Sequence, residues 1–223
     1  MSNVKALILG LLLLVPIFVF IFISTFGEHH FSLRTYFPKV DDAGEVVYNE
    51  KGDTVFNRVP DFKLTSQQGE TISQSEDLSD VIYVADFFFA RCTSICKKMS
   101  SQLSRVQEAY KNNPSVKLVS ITVNPEHDSV AVLQNYAAQY GADPEKWMLL
   151  TGPKDEIYSL AQQGFYLPVQ KVEGQDDFIH SEKFMLVDKE QRVRGIYDGT
   201  DPKDVDRLII EINVLLDEYS KSK

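Results

Sequence analysis

Uninterrupted apolar runs alternate along this chain with apolar stripes at three- and four-residue spacing. The first run, residues 4–26 (VKALILGLLLLVPIFVFIFISTF), carries a single charge, Lys5, at its start. About 20 apolar residues match the hydrocarbon thickness of a bilayer, so this run predicts one transmembrane helix. Pro16 within it is tolerable there, because neighbouring groups can satisfy the freed carbonyl. Beyond it the pattern turns polar and punctuated, and Asn49-Glu50-Lys51-Gly52-Asp53 between EVVY and TVFNRV predicts a hairpin of two short strands. PDFKLTSQQGETISQSEDL then predicts a strand, a turn at Gln68-Gly69 and a second strand. VIYVADFFF is apolar almost throughout, as a central strand buried on both faces requires.

Periodicity then switches. Met99, Leu103, Val106 and Tyr110 recur at helical spacing and predict a helix ending near Asn112-Asn113-Pro114. VKLVSITVN predicts another buried strand. Val130, Leu133, Ala137 and Tyr140 form a second helical stripe stopped by Gly141, followed by the strand WMLLTG and a helix that Pro153 starts and Gly164 stops. EKFMLVD and RVRGIYDG flank Lys189-Glu190-Gln191 as a hairpin. A last helix begins with Asp201 as cap and Pro202 in its first turn, burying Val205, Leu208, Ile209, Ile212, Leu215, Leu216 and Tyr219. An α/β alternation followed by an antiparallel hairpin and a helix is the element order of a thioredoxin-like fold. The organisation expected is a membrane anchor over residues 1–27, a tether and edge hairpin over 28–58, and a thioredoxin-like domain over 59–219.

A cleaved signal peptide would have a shorter apolar part, about 7–15 residues, and a small-x-small site, which Ser24-Thr25-Phe26-Gly27 does not supply. No cysteine follows the run to take a lipid, so it reads as an uncleaved anchor. The amino terminus and Lys5 precede the span and Glu28 follows it, which places the domain on the far side of the membrane from the cytoplasm. Nothing Arg-rich or amphipathic suggests a mitochondrial transit peptide. The expectation is a bacterial inner-membrane protein facing the periplasm, an oxidising compartment in which a cysteine pair can close. The net charge of -9 argues against nucleic acid as a partner and would suit a basic one.

The chain has two cysteines, both in FFFARCTSICKKM: Cys92 at the carboxyl end of the central strand and Cys96 at the start of the next helix. Ligands of open α/β sheets sit at that edge. A helix amino terminus favours thiolate over thiol, so both sulfurs are expected to be more acidic than an ordinary cysteine. Three intervening residues point an i, i+4 pair to one side of a helical turn, converging on one ion, whereas two-residue spacing suits thiol exchange. Two thiolates are a soft site that selects copper(I) or zinc over magnesium or calcium. The plain alternative is a pair of inert buried cysteines.

His180, in DDFIHSEKFMLVD, precedes the hairpin strand that packs beside the cysteine loop in a thioredoxin-like sheet, and is the candidate third ligand. His127, in NPEHDS, reads as part of a loop leading into a helix and has no chemistry assigned. His29 and His30 read as an interfacial pair after the anchor. Met99 and Met185 fall in apolar patterns and are expected in the core.

Cys92-x-x-x-Cys96 after DFFFAR, the segment SITVNPEHDSVAVLQNYAAQYG, and IHSEKFMLVD with His180 together resemble the Sco/SenC family of membrane-anchored, thioredoxin-like copper proteins. The resemblance covers about residues 59–219 and includes the anchor. It implies that Cys92, Cys96 and His180 bind a copper ion and that the protein helps build the binuclear copper centre of cytochrome c oxidase. The implied partners are the copper-accepting subunit of that oxidase, or another copper protein, and a thiol reductant. The family loop usually reads C-P-D-x-C-P, whereas Thr93, Ser94 and Lys97 stand here at the Pro, Asp and Pro positions, and Asn124 replaces the commoner Asp before the proline of NPE. Lys97 and Lys98 would help hold the thiolates charged and would lower copper affinity or favour redox exchange.

Two rival functions remain at this level. A membrane-tethered thiol–disulfide oxidoreductase would use Cys92 as the attacking sulfur and would not need His180. A peroxidase would need a Thr or Ser and an Arg arranged around one cysteine, which Arg91 alone does not provide.

Overall fold

The computed structural model describes residues 3–26, 32–92, 95–167, 170–171, 178–179 and 181–221. The chain divides into two compact units, Met1–Ser32 and Leu33–Lys223. The first holds helix α1 (Asn3–Phe26), with Pro16 inside it and exposed apolar side chains that include Leu11, Leu14, Phe18 and Phe22. Among the described residues no helix is long and apolar enough to cross a membrane, so the expected transmembrane anchor is not borne out there.

The second unit is built on a seven-stranded sheet. Its strands are β1 (Lys63–Ser66), β2 (Thr71–Ser73), β3 (Ile82–Phe88), β4 (Val116–Thr122), β5 (Trp147–Thr151), β8 (Lys183–Val187) and β9 (Val193–Asp198), in the order β2-β1-β5-β4-β3-β8-β9. β3, β4 and β5 are parallel, β1 joins β5 antiparallel, and β8 joins β3 antiparallel. Two-residue strands β6 (Gln170–Lys171) and β7 (Phe178–Ile179) pair separately. The helices are α2 (Gln74–Asp77), α3 (Ile95–Tyr110), α4 (Val130–Tyr140), α5 (Lys154–Ser159), which continues as a π turn (Leu160–Gly164), and α6 (Pro202–Lys221).

Every residue of β3 is buried, as its unbroken apolar run requires. Alternation sends its side chains to opposite faces: the Phe88 ring meets Tyr136 of α4 at 5.0 Å, and the Phe87 ring meets Phe165 after the π turn at 5.4 Å. α3 buries Met99, Leu103, Val106 and Tyr110, the stripe its spacing predicts, together with Cys96 and Ser100. Each fully buried aliphatic side chain in this face is worth about 1.5–3 kcal/mol. Tyr110 Oη donates to Ile209 O of α6 at 2.5 Å, and Ser100 Oγ bonds Tyr136 Oη of α4 at 2.8 Å, so α3 is held to both neighbouring helices. Gly141 takes φ 62° to end α4, a left-handed conformation that only glycine adopts at little cost.

The predicted amino-terminal hairpin is closed by the isolated bridge Tyr48↔Thr54 around the turn at Asn49 and Gly52, while Val40↔Val46 closes a second turn at Asp41 and Gly44 and Pro38↔Phe56 adds the preceding segment. Its base is fixed to the sheet by buried charges. Arg194 of β9, 6% exposed, donates to Leu33 O at 2.7 Å and pairs with Glu218 at 2.8 Å and Asp188 at 3.2 Å.

Candidate metal centre

The carboxyl edge of the sheet holds the cysteines. β3 ends at Phe88; Cys92 N–H then donates to Phe89 O at 3.1 Å, a tight turn that sets Cys92 above the sheet edge. Cys96 lies in the first turn of α3, and its backbone N–H donates to Cys92 Sγ at 3.4 Å. The Cys92 sulfur thus occupies the place of a helix N-cap acceptor, where orphan N–H groups and the helix dipole favour negative charge. The two side chains also hydrogen-bond to each other. Cys92 is 5% exposed and Cys96 fully buried.

This geometry corrects one expectation. The Cys96 thiol is not acidified: its hydrogen bond to Cys92 and its burial both push its pKa up, the negative charge of Asp86 adds to the effect, and a backbone hydrogen bond from Phe89 opposes it only partly. The Cys92 hydrogen bond, followed by burial, disfavours the thiolate more than the helix terminus favours it. Lys97 and Lys98 face solvent, so they do not offset that penalty in the way their sequence proximity predicts.

A buried polar latch holds the cysteine loop. Ala90 N–H donates to Asp128 Oδ2 at 3.0 Å, and Thr122 Oγ at the end of β4 donates to the same oxygen at 2.5 Å. Asp128 is fully buried, and its Oδ1 has no hydrogen-bond partner among the described residues. Asn124 N–H donates to Thr122 Oγ at 3.0 Å, and Asn124 O accepts from Asp128 N–H at 2.9 Å. His127 Nδ1 lies 3.1 Å from Asn124 Oδ1, inside this loop. A second buried acid, Asp86 of β3, accepts from Ser120 Oγ at 2.5 Å, and Ser120 Oγ accepts from Trp147 Nε1 at 2.8 Å.

The sequence reading did not name Asp86, Asp128 or Ser120. A lone carboxylate inside VIYVADFFF was the available signal for Asp86, since ionisable residues are rarely buried without partners. Met99 and Met185 are core residues, 1% and 2% exposed. Thr93, Ser94, His29, His30 and His180 lie outside the described residues. β8 begins beside the end of β3, through the pairs Ala85↔Met185 and Val84↔Leu186, so the chain enters β8 at the edge where Cys92 lies. Among the described residues, no group of three or more His, Cys, Asp or Glu forms a metal cluster. What the described residues bring together is two sulfurs able to share a soft metal ion or to close a disulfide.

Comparison with known proteins adds to this. The SCO1/SenC family pattern matches residues 50–216. The SCO1 protein homolog of Bacillus subtilis (strain 168) is 32% identical over 162 residues, covering 72% of this chain and 83% of that protein. The crystal structure of a SCO1/SenC family lipoprotein from Bacillus anthracis superposes with a TM-score of 0.66 at 27% identity, over 71% of this chain and 95% of its own. BsSco, a member of the Sco family of cytochrome c oxidase assembly proteins for which a disulfide switch has been identified, superposes at 0.64 with 31% identity, over 71% and 92%. Arabidopsis thaliana ScoI, crystallised with copper bound, superposes at 0.62 with 25% identity, over 73% and 100%.

Proposed function

The chain belongs to the SCO1/SenC family, and from that premise we propose that it is a copper-binding assembly factor that delivers copper to, or matures, the binuclear copper centre of cytochrome c oxidase. Copper is its cargo. Cys92 and Cys96 supply two thiolate ligands and His180 an imidazole nitrogen, and the ion leaves by ligand exchange with the accepting subunit. α1 anchors the protein in the bacterial inner membrane with the domain facing the periplasm. The observation that carries this reading is the mutual placement of the two sulfurs at the sheet edge, with Cys92 Sγ 3.4 Å from the Cys96 amide.

The residues fit such an ion. Two thiols at the amino terminus of α3 form a soft donor pair, and the buried surroundings limit access of water and oxidant. Binding requires both protons to leave, so copper must displace the Cys96 proton that the hydrogen bond to Cys92 and burial hold in place. Oxidation of the pair to a disulfide releases two electrons and two protons and removes both ligands, so the metal-ready protein is reduced. A thiol reductant is therefore a second partner.

The same adjacency supports a second reading, a tethered thiol–disulfide oxidoreductase in which the Cys92–Cys96 disulfide exchanges with cysteines of an acceptor. The two separate in cells. Deleting the chain should leave an oxidase that lacks its binuclear copper absorbance, and wild type should restore it. If His180→Ala restores it as fully as wild type, thiol exchange is the function and copper delivery is not.

A further inference from the structure

Although the chain is acidic overall, the first turn of the cysteine helix is not. The first turn of α3 contains no acid; it carries Lys97 and Lys98, both exposed, at the end of a helix where positive charge is unfavourable. Exposed Arg91 precedes Cys92, and exposed Lys203 begins α6 across from them. None of these four cations forms an ion pair among the described residues, whereas neighbouring cations are paired: Arg105 with Asp206, Lys183 with Asp198, and Arg207 with Asp204. A cleft of about 450 Å³ between α3 and the start of α6 is lined by Lys97, Lys98, Ser101, Gln102, Thr200 and Pro202. Two acids at the start of α6 are held against their own turn. Asp201 Oδ1 accepts from Lys203 N–H at 3.0 Å, and Asp198 Oδ1 accepts from Thr200 N–H and Oγ at 2.9 and 2.7 Å.

We propose that this basic rim is the docking surface for the copper-accepting protein, and that the matching surface on that protein carries Asp and Glu side chains. This deepens the copper-delivery reading and rests on it. The occupant is an acceptor protein rather than an anionic bilayer, because Lys97 and Lys98 directly follow Cys96 in the first turn of α3, and lipid held there would obstruct the sulfurs that must exchange their ligand. Unpaired cations around a reactive site raise encounter rates with an acidic partner and lose that effect as salt screens them.

The test uses the reduced, copper(I)-loaded full chain in a non-ionic detergent, mixed with the reduced, copper-free copper-binding domain of the oxidase subunit from the same organism. The second-order transfer rate is measured between about 0.02 M and about 0.2 M salt, over which the screening length falls from roughly 20 Å to below 10 Å. Wild type should slow about tenfold across this range. Lys97→Glu/Lys98→Glu should start about tenfold slower at low salt and respond little to salt, with copper(I) affinity unchanged. A double variant that transfers at the wild-type rate with the wild-type salt dependence overturns the docking surface and leaves copper delivery standing. If instead that variant loses binding to vesicles of anionic phospholipid while transferring copper normally, the rim faces the membrane and the proposal is overturned. Wild type that passes no copper at any salt removes the delivery reading itself, and the docking surface with it.

Discussion

Cys96 donates its backbone N–H to the sulfur of Cys92 across 3.4 Å, so one cysteine caps the helix that carries the other. The pair is consequently a single unit, and replacing either member changes the other. Cys92→Ser should abolish copper binding and disulfide formation together while leaving the fold in place, since a hydroxyl can take over the cap. Mass spectrometry after mild oxidation, together with circular dichroism, checks both halves: the variant should keep its thiol hydrogen at Cys96 and its secondary structure.

Asp128 should matter as much to the site as to stability. Asp128→Ala strands the Ala90 N–H and the Thr122 hydroxyl in a buried place, at a cost of about 1–3 kcal/mol for each group left unsatisfied. Loosening the cysteine loop should also weaken copper by about 10–100-fold, the usual effect of disturbing groups behind metal ligands. Denaturant titration and copper competition on the same sample would show a coupled loss. Full copper affinity in a destabilised variant would mean that the latch serves the fold alone.

Gly195 is a close-approach glycine. A Cβ there would lie 2.1 Å from Tyr197 Oη and 2.5 Å from the ring, beside the Tyr197–Glu211 hydrogen bond. Gly195→Ala should cost about 1–3 kcal/mol through forced repacking of β9 against α6, seen as a lower unfolding midpoint.

Alkaline stability should depend on buried tyrosines. Burial pushes the Tyr110 hydroxyl up to about 12, from an ordinary value near 10. Above pH 10 the unfolded chain loses this proton while the folded one keeps it, so stability is fully present below pH 10 and declines as pH rises toward 12. Tyr110→Phe should remove up to about 2 kcal/mol of that decline, although it also loses the hydrogen bond to Ile209 and starts less stable at neutral pH. Unfolding midpoints at pH 8, 10 and 11 are the check, and parallel curves for the two proteins would exclude Tyr110 as the cause.

Much of this architecture is visible in local patterns. The fully buried β3, the α3 stripe from Met99 to Tyr110 and the α6 stripe from Val205 to Leu215 each follow from a periodicity that a window of neighbouring residues displays. The parts that escaped depend on residues far apart in sequence. Ala90 meets Asp128, Leu33 meets Glu218, and Phe37 stacks on Tyr166 at 4.4 Å with both backbones at positive φ. No local spacing encodes such contacts. The Cys96 thiol departs from its expected acidity for a related reason: the helix terminus that favours thiolate is readable from sequence, whereas the hydrogen bond to Cys92 and the depth of burial are set by how the loop and α3 pack.

The central claim, a copper ion held by Cys92, Cys96 and His180, is tested most directly by an anaerobic copper(I) titration. The reduced full chain in a non-ionic detergent competes with a chelator of known affinity, beside the His180→Ala variant. One copper held tightly by wild type, and about 10–100-fold more weakly or worse by the variant, is the expected result. Equal affinity in the two proteins would contradict the three-ligand site and leave the sulfur pair to thiol exchange.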